Sequence, residues 1–237
     1  MKILVKFILD LFDITTEIKI KKFFKKIFLN KINIIIDVGS HKGEYILNII
    51  KNFHYNKIYC FEPNPKIFNI LKKKISKQQN IELNNIGVGN IEGSEILNEN
   101  LESSSTSINQ LNTSSKYFKK KYFFLNPFQN KSITKPIKIK ITTLGNFIET
   151  QDIKSIDLLK IDTEGYELKV IEGLGKEIKK IKYIHFEHHF DDMIIKNYNL
   201  SNIHDYLKKN NFKKIFKVKM NFRKSFEYIY ENENDIS

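Results

Sequence analysis

The chain has 237 residues, of which 41% are hydrophobic and 28% are charged. This composition is ordinary for a globular protein, excludes disorder as the main state and suits one α/β domain. No stretch approaches the length of about 18 uncharged apolar residues that a membrane-spanning helix needs. The single cysteine, Cys60, cannot form an internal disulfide, which favours a reducing, cytoplasmic location.

The net charge of +13 arises from 40 basic and 27 acidic residues. Such a balance often marks proteins that bind nucleic acid or a membrane surface. Here every basic residue except Arg223 is a lysine, and the chain contains no alanine. That bias is typical of a genome rich in A and T codons. A nucleic-acid partner is therefore not favoured on charge alone.

Residues 1–30 are predicted to form a helical N-terminal extension, because apolar side chains recur there at helical spacing among lysines. Two interpretations are open. The helix either packs on the domain as a cap or lies on an anionic membrane surface as a basic amphipathic helix. Packing on the domain is favoured, and peripheral membrane contact is the alternative.

From residue 31 the pattern predicts alternating strands and helices. Such alternation is typical of a parallel sheet whose strands are buried on both faces. The expected fold is one α/β domain, residues 31–237, with a doubly wound, mostly parallel, seven-stranded Rossmann-like sheet. The predicted strands are 32–38, 57–62, 81–83, 156–162, 181–187, 212–219 and 226–230.

Residues 98–136 interrupt this rhythm with clusters of serine and threonine. A loop of this length is often a lid or a binding loop, and a disordered insertion is the alternative. After it, 137–141 are predicted to form an extra strand, and Thr143 to cap a short helix.

Acidic residues stand at the ends of four predicted strands: Asp37, Glu62, Asp162 and Glu187. In an open α/β sheet, ligands bind outside the carboxyl ends of the strands. Four carboxylates at one edge would repel each other unless a ligand or cation compensates their charge. We therefore expect the functional site at this edge.

The first turn after a strand, Asp37–Gly43, contains two glycines. It differs from the dinucleotide fingerprint, because His41 stands where that motif has a glycine. Asp37 disfavours a pyrophosphate but suits a cofactor with cationic groups, such as S-adenosylmethionine. Glu62, after the next strand, is placed to accept hydrogen bonds from ribose hydroxyls.

Four segments carry a resemblance to a known family: Asp37–Tyr45 (DVGSHKGEY), Phe61–Pro65 (FEPNP), Thr142–Leu144 (TTL) and Asp157–Glu167 (DLLKIDTEGYE). Together they resemble the FkbM-type methyltransferases, over about residues 33–190. The resemblance implies a class I, S-adenosylmethionine-dependent fold that usually acts on hydroxyls of sugars or other small metabolites.

The resemblance also implies which residues bind the cofactor. The methionine part would lie against the first turn, the ribose against Glu62 and the adenine beside the segment that follows. The implied cofactor-binding residues are Asp37, Gly39, Ser40, Gly43, Glu62, Pro63, Asn64 and Ile86.

Methyl transfer to a hydroxyl needs an aligned acceptor and a group that removes its proton. Asp162 or His188 is predicted as the base, and Glu164 as an acceptor for a substrate hydroxyl. A divalent cation held by Asp162 and Glu187 is the alternative way to lower the pKa of the hydroxyl.

Three functions remain open on the sequence. The leading one is an O-methyltransferase acting on a saccharide or nucleotide-linked sugar, in surface-glycan biosynthesis. The second is nucleic-acid methylation, although Asp162–Gly165 lacks the proline-rich motif of amino-directed enzymes. The third is a non-catalytic cofactor-binding module, against which the intact acidic residues argue.

Overall fold

The computed structural model describes residues 2–99, 106–110, 112–116, 118–119, 135–221 and 223–234, with side chains from residue 14 onward. The strands are β1 Lys31–Val38, β2 His54–Phe61, β3 Ile81–Asn84, β4 Gly87–Gly89, β5 Gly93–Glu99, β6 Lys135–Thr143, β7 Ile156–Ile161, β8 Ile181–His189, β9 Phe212–Lys219 and β10 Ser225–Asn232. The helices are α1 Lys2–Phe28, α2 Glu44–Asn52, α3 Pro65–Ile75, α4 Leu144–Thr150, α5 Glu167–Glu172 and α6 Leu200–Lys209, and a 3-10 helix spans Gly175–Lys180.

Seven strands form the main sheet in the order β3-β2-β1-β7-β8-β10-β9. β10 runs antiparallel to both of its neighbours, and the other pairs are parallel. The predicted mostly parallel, seven-stranded sheet is therefore confirmed. The strand order reverses between β1 and β7, which makes their carboxyl ends a topological switch point where ligands bind in such sheets.

Helices cover both faces of this sheet. One apolar cluster joins α1, α2 and α3 to strand residues such as Ile35 and Leu158. The other joins α4, α5 and α6 to strand residues such as Ile36 and Leu159. Neighbouring residues of one strand thus enter opposite cores, which explains the continuous apolar runs of β1 and β7.

The second half of α1 packs on the sheet. Ile20, Phe24 and Phe28 are buried, and the Phe23 ring stacks on Phe216 of β9 with centroids 4.5 Å apart. The helical extension is therefore confirmed, and membrane contact through it stays a prediction. In the part of the chain that the structure describes, no helix is both long and apolar enough to cross a membrane.

A second sheet, with the order β4-β6-β5, lies outside the main one. The sequence predicts a single sheet, and on this point the prediction is wrong. β6 pairs parallel with β4 and antiparallel with β5 instead of joining the main sheet. Thr143 caps α4 as predicted, because its hydroxyl accepts a hydrogen bond from the Asn146 amide.

Candidate functional site

A cavity opens at the carboxyl ends of β1, β2 and β7, at the switch point of the main sheet. Eight of the predicted site residues line it: Gly39, Glu62, Pro63, Asn64, Ile86, Asp162, Glu164 and Glu187. Asp37, Ser40, Gly43 and His188 are not among its lining residues. The structure therefore brings most of the predicted site residues to one cavity, and their roles stay a prediction.

Gly39 lets the first turn lie against the end of β7. Its φ angle is +83°, and a Cβ atom built on it would lie 1.9 Å from the carbonyl oxygen of Asp162. The amides of Gly39 and Ser40 both donate to the carbonyl oxygen of Phe61, at 3.0 Å each. Glycine is required here by both the backbone angle and the close approach of β7.

Glu62 is held rigidly at the end of β2. Its two carboxylate oxygens accept hydrogen bonds from the amides of His41, at 2.9 Å, and Asn64, at 2.8 Å. Burial raises the pKa of Glu62, and these two amide donors oppose that rise. The carboxylate is thus a fixed, buried acceptor that faces the cavity from between two loops.

The wall next to Glu62 is largely apolar. Pro63, Ile67, Ile86 and Val88 line this part of the cavity. The side-chain oxygen of Asn64 is engaged in capping α3, where it accepts from the amides of Lys66 and Ile67. A flat apolar ring could pack against this wall, whereas the Asn64 side chain is occupied in capping α3.

Asp37, Ser40 and Gly43 support the turn from behind. The Ser40 hydroxyl donates to the Asp37 carbonyl at 2.9 Å, and a Cβ on Gly43 would lie 2.8 Å from Leu71 of α3. Burial raises the pKa of Asp37 to about 6, against the opposing effects of Ser40 and Lys160. Among the described residues, Oδ2 of Asp37 has no hydrogen-bond partner. This buried carboxylate contributes negative charge behind the cavity.

The opposite end of the cavity is acidic. Asp162, Glu164 and Glu187 line it together with Arg223. Desolvation raises the pKa of Asp162 well above 3.8; Lys160 opposes this rise and Glu187 adds to it. A carboxyl group with a raised pKa at a cavity edge is suited to accept a proton.

Lys160 lies behind Asp162 in a buried polar network. Its ammonium is 3.1 Å from Oε2 of Glu227 and 3.8 Å from Oδ2 of Asp162. Glu227 also lies 2.9 Å from Nε2 of His185, whose Nδ1 is 3.2 Å from the Tyr45 hydroxyl. The alternation of β7 places Lys160 and Asp162 on the same face, so the sequence did hold a signal for this contact.

His188 lies on β8, facing away from the cavity. Its ring packs edge to face on Phe190, with centroids 4.9 Å apart, and its Nε2 is 3.5 Å from Nζ of Lys196. Burial, reinforced by Lys196 and His189, lowers the pKa of His188 to about 3. Of the two predicted bases, Asp162 is the one that lines the cavity.

His189, which lies just beyond the predicted strand 181–187, is beside the acidic end. Its Nε2 is 3.4 Å from both Oε2 of Glu164 and Oε1 of Glu187. Lys160 lies beside Asp162, and His189 lies beside Glu187. Each carboxylate predicted to hold a divalent cation thus already has a basic side chain of the protein next to it. Within the described ranges, no three His, Cys, Asp or Glu side chains are grouped to bind a metal. The predicted cation between Asp162 and Glu187 has no support there.

Part of the predicted lid, 98–136, borders the cavity. Thr106, Ser107 and Ile108 line it, and the Ser107 hydroxyl donates to the Glu164 carbonyl at 2.7 Å. Residues 100–105, 111, 117 and 120–134 of this segment lie outside the described residues, so the lid as a whole stays a prediction.

Comparison with known proteins agrees with this architecture. A sequence model of the Methyltransferase FkbM domain matches residues 37–214. Methyltransferase 1 of Beauveria bassiana is 25% identical over 179 residues, which are 68% of this chain and 70% of that protein.

Two solved structures share the fold. Methyltransferase FkbM from Methylobacillus flagellatus superposes with a TM-score of 0.51 at 13% identity, over 84% of this chain. This chain spans only 43% of that protein's length. Sp1610 of Streptococcus pneumoniae, in complex with S-adenosyl-L-methionine, superposes with a TM-score of 0.51 at 11% identity, over 92% of this chain and 73% of its own.

The sheet order, the cavity at the switch point and the family match agree with one another. Since the match at residues 37–214 covers well over half of the 237 residues, the chain belongs to the FkbM methyltransferase domain family and has a class I methyltransferase fold.

Proposed function

We propose that the protein transfers a methyl group from S-adenosylmethionine to a hydroxyl of a sugar or sugar-containing metabolite. The observation that carries this proposal is the polarity of the cavity. A fixed carboxylate and an apolar wall lie at one end, and three carboxylates lie at the other. A cofactor with a nucleoside at one end and cationic groups at the other matches that arrangement.

The residues of the chain fit this cofactor. Glu62 would accept hydrogen bonds from the ribose hydroxyls, and Pro63 and Ile86 would flank the adenine. Gly39 would shape the turn on which the cofactor lies, because glycine permits its backbone angle and the close approach of β7. Asp37, buried behind the turn, would favour the cationic end. Bound there, S-adenosylmethionine would supply an electrophilic methyl group on a cationic sulfur.

The acceptor would be held and deprotonated by the acidic end. Asp162 would take the proton of the reacting hydroxyl, and Glu164 would accept a hydrogen bond from the substrate. Alignment of the acceptor hydroxyl with the methyl group would accelerate the reaction further.

A nucleic-acid acceptor is the weaker alternative. Asp162, Glu164 and Glu187 would repel a phosphate backbone that entered the same end of the cavity. A saccharide, whose hydroxyls donate to carboxylates, meets no such repulsion.

Replacing Glu62 with glutamine is expected to weaken S-adenosylmethionine binding about 10- to 100-fold, because a charged acceptor for the ribose is lost. Calorimetric titration of the wild-type protein and the variant measures this change. Glu82→Ala is the matched control, since Glu82 pairs with Lys57 on the neighbouring strand, at 3.1 Å, away from the cavity. Equal affinity in the Glu62 and Glu82 variants would contradict the assigned ribose contact.

Transfer itself is tested with methyl-labelled S-adenosylmethionine and a panel of methyl glycosides, nucleotide-linked sugars and transfer RNA. Label in a sugar hydroxyl, located by mass spectrometry, is the expected result. Label only in RNA would replace the proposed acceptor by a nucleic acid. Tight cofactor binding without any transfer would favour a non-catalytic binding module.

A further inference from the structure

Glu164 is held in an uncommon backbone conformation beside the cavity. Its φ angle is +51°, in the left-handed region that residues other than glycine rarely occupy. The Ser107 hydroxyl fixes its carbonyl, and the amide of Gly165 donates to Oε1 of Glu167 at 2.8 Å. Strained residues persist where the surrounding structure fixes them, and they cluster at functional sites.

The Glu164 side chain is ion-paired with a nearly buried histidine. His189 is nearly buried, with 9% of its side chain exposed, and its Nε2 lies 3.4 Å from one oxygen each of Glu164 and Glu187. On the other side of the ring, Nδ1 is 3.7 Å from Oδ2 of Asp191. A single imidazole thus bridges two cavity-lining carboxylates and is backed by a third.

Charge explains why the bridge is a cation. Two carboxylates on one cavity wall repel each other unless a positive group lies between them. Although burial lowers the pKa of His189, Glu164, Asp191 and Glu187 together raise it to about 10. The His189 ring thus places positive charge between the two cavity carboxylates, 3.4 Å from one oxygen of each.

We propose that His189 is a positioning residue that holds Glu164 and Glu187 as a pair of acceptors for two neighbouring hydroxyl groups of the methyl acceptor. The substrate class is therefore a polyol with a vicinal diol. This inference rests on the proposed O-methyl transfer and deepens it, because it states which feature of the sugar the cavity recognises.

The pairing selects hydroxyls over other groups. The carboxylate oxygens of Glu164 and Glu187 accept hydrogen bonds, so they match two O–H donors and disfavour a phosphate or carboxylate. A site built to bind a hydroxyl rejects the analogue that lacks it, because buried acceptors are then left unpaired. Removing either hydroxyl of the diol should therefore cost turnover.

The test compares methyl glycosides that carry a vicinal diol with their monodeoxy analogues, under labelled S-adenosylmethionine. For the wild-type protein, kcat/KM is expected to favour the diol about tenfold or more. In His189→Gln the preference should fall to within about threefold, through a higher KM for the diol, while cofactor affinity stays unchanged. His54→Gln, an exposed histidine on β2, is the matched control.

A merely structural role of His189 would lower kcat for diol and deoxy substrates alike and leave their ratio unchanged, which would overturn the inference. If His189→Gln does not fold, Glu187→Gln must show the same loss of preference. Wild-type transfer to hydroxyls without preference for a diol overturns this inference alone. Wild-type failure to methylate any hydroxyl compound, with cofactor bound, overturns the proposed function as well.

Discussion

Replacing Asp162 with asparagine is expected to lower kcat about 10²- to 10⁴-fold while leaving the affinity for S-adenosylmethionine within about twofold. Asparagine keeps the size of the side chain and its place beside Lys160 but cannot accept the proton of the hydroxyl. Cofactor binding depends instead on Glu62 and the apolar wall at the other end of the cavity. The methyl-transfer rate should therefore fall in this variant while the affinity for S-adenosylmethionine is kept.

The pH profile adds an independent readout for Asp162. A base must be ionised, so the rate rises as pH rises through its pKa. Because desolvation and Glu187 raise the pKa of Asp162, the acid limb of the wild-type profile should lie well above pH 3.8. Asp205→Asn, an exposed substitution on α6, should keep both rate and profile. Undiminished turnover in Asp162→Asn would show that another group takes the proton.

Most elements of the main sheet were predictable because their signals are local. β1 and β7 are continuous apolar runs, and Pro65 begins α3 directly after the capping residue Asn64. β5 was missed, because four of its first five residues, starting at Gly93, are exposed and show no apolar alternation. It forms a strand through pairing with β6, which sequence pattern alone does not reveal.

The candidate site was located from strand-end acids, but its details depended on side-chain direction. A period of two along β8 places Glu187 and His189 on one face and His188 on the other. The predicted strand ended at residue 187, so the alternation was not applied to His188 and His189. The contact between Ser107 and Glu164 was not predictable, since it joins segments far apart in sequence.

Replacing Lys160 with methionine is expected to lower the free energy of unfolding by about 3–5 kcal/mol, because Glu227 and Asp162 would lose their buried cation. Chemical denaturation of the wild-type protein and the variant measures the change. Lys57→Met is the matched control: Lys57 lies 3.1 Å from Glu82, the same distance that separates Lys160 from Glu227, but its side chain is 35% exposed. An exposed pair of this kind contributes at most about 1 kcal/mol.

The ion pair between Lys160 and Glu227 also sets the pH range over which it contributes to stability. Burial lowers the pKa of Lys160, but Glu227 and Asp162 outweigh it and raise the pKa above 10.5, so its contribution is complete below pH 10.5 and is lost above it. Burial raises the pKa of Glu227, but Lys160 and His185 hold it below 4.5, so its contribution is lost as pH falls below 4.5.

The double variant Lys160→Met with Glu227→Gln distinguishes the contribution of the ion pair from that of side-chain packing. It should recover part of the lost stability, because no ionised Glu227 is then left without its partner. If the double variant instead loses as much stability as the two single variants together, Lys160 and Glu227 contribute to stability independently. In that case Lys160 would act through Asp162 alone. The Lys160→Met variant would then show a large loss of methyl-transfer rate with only a small loss of stability.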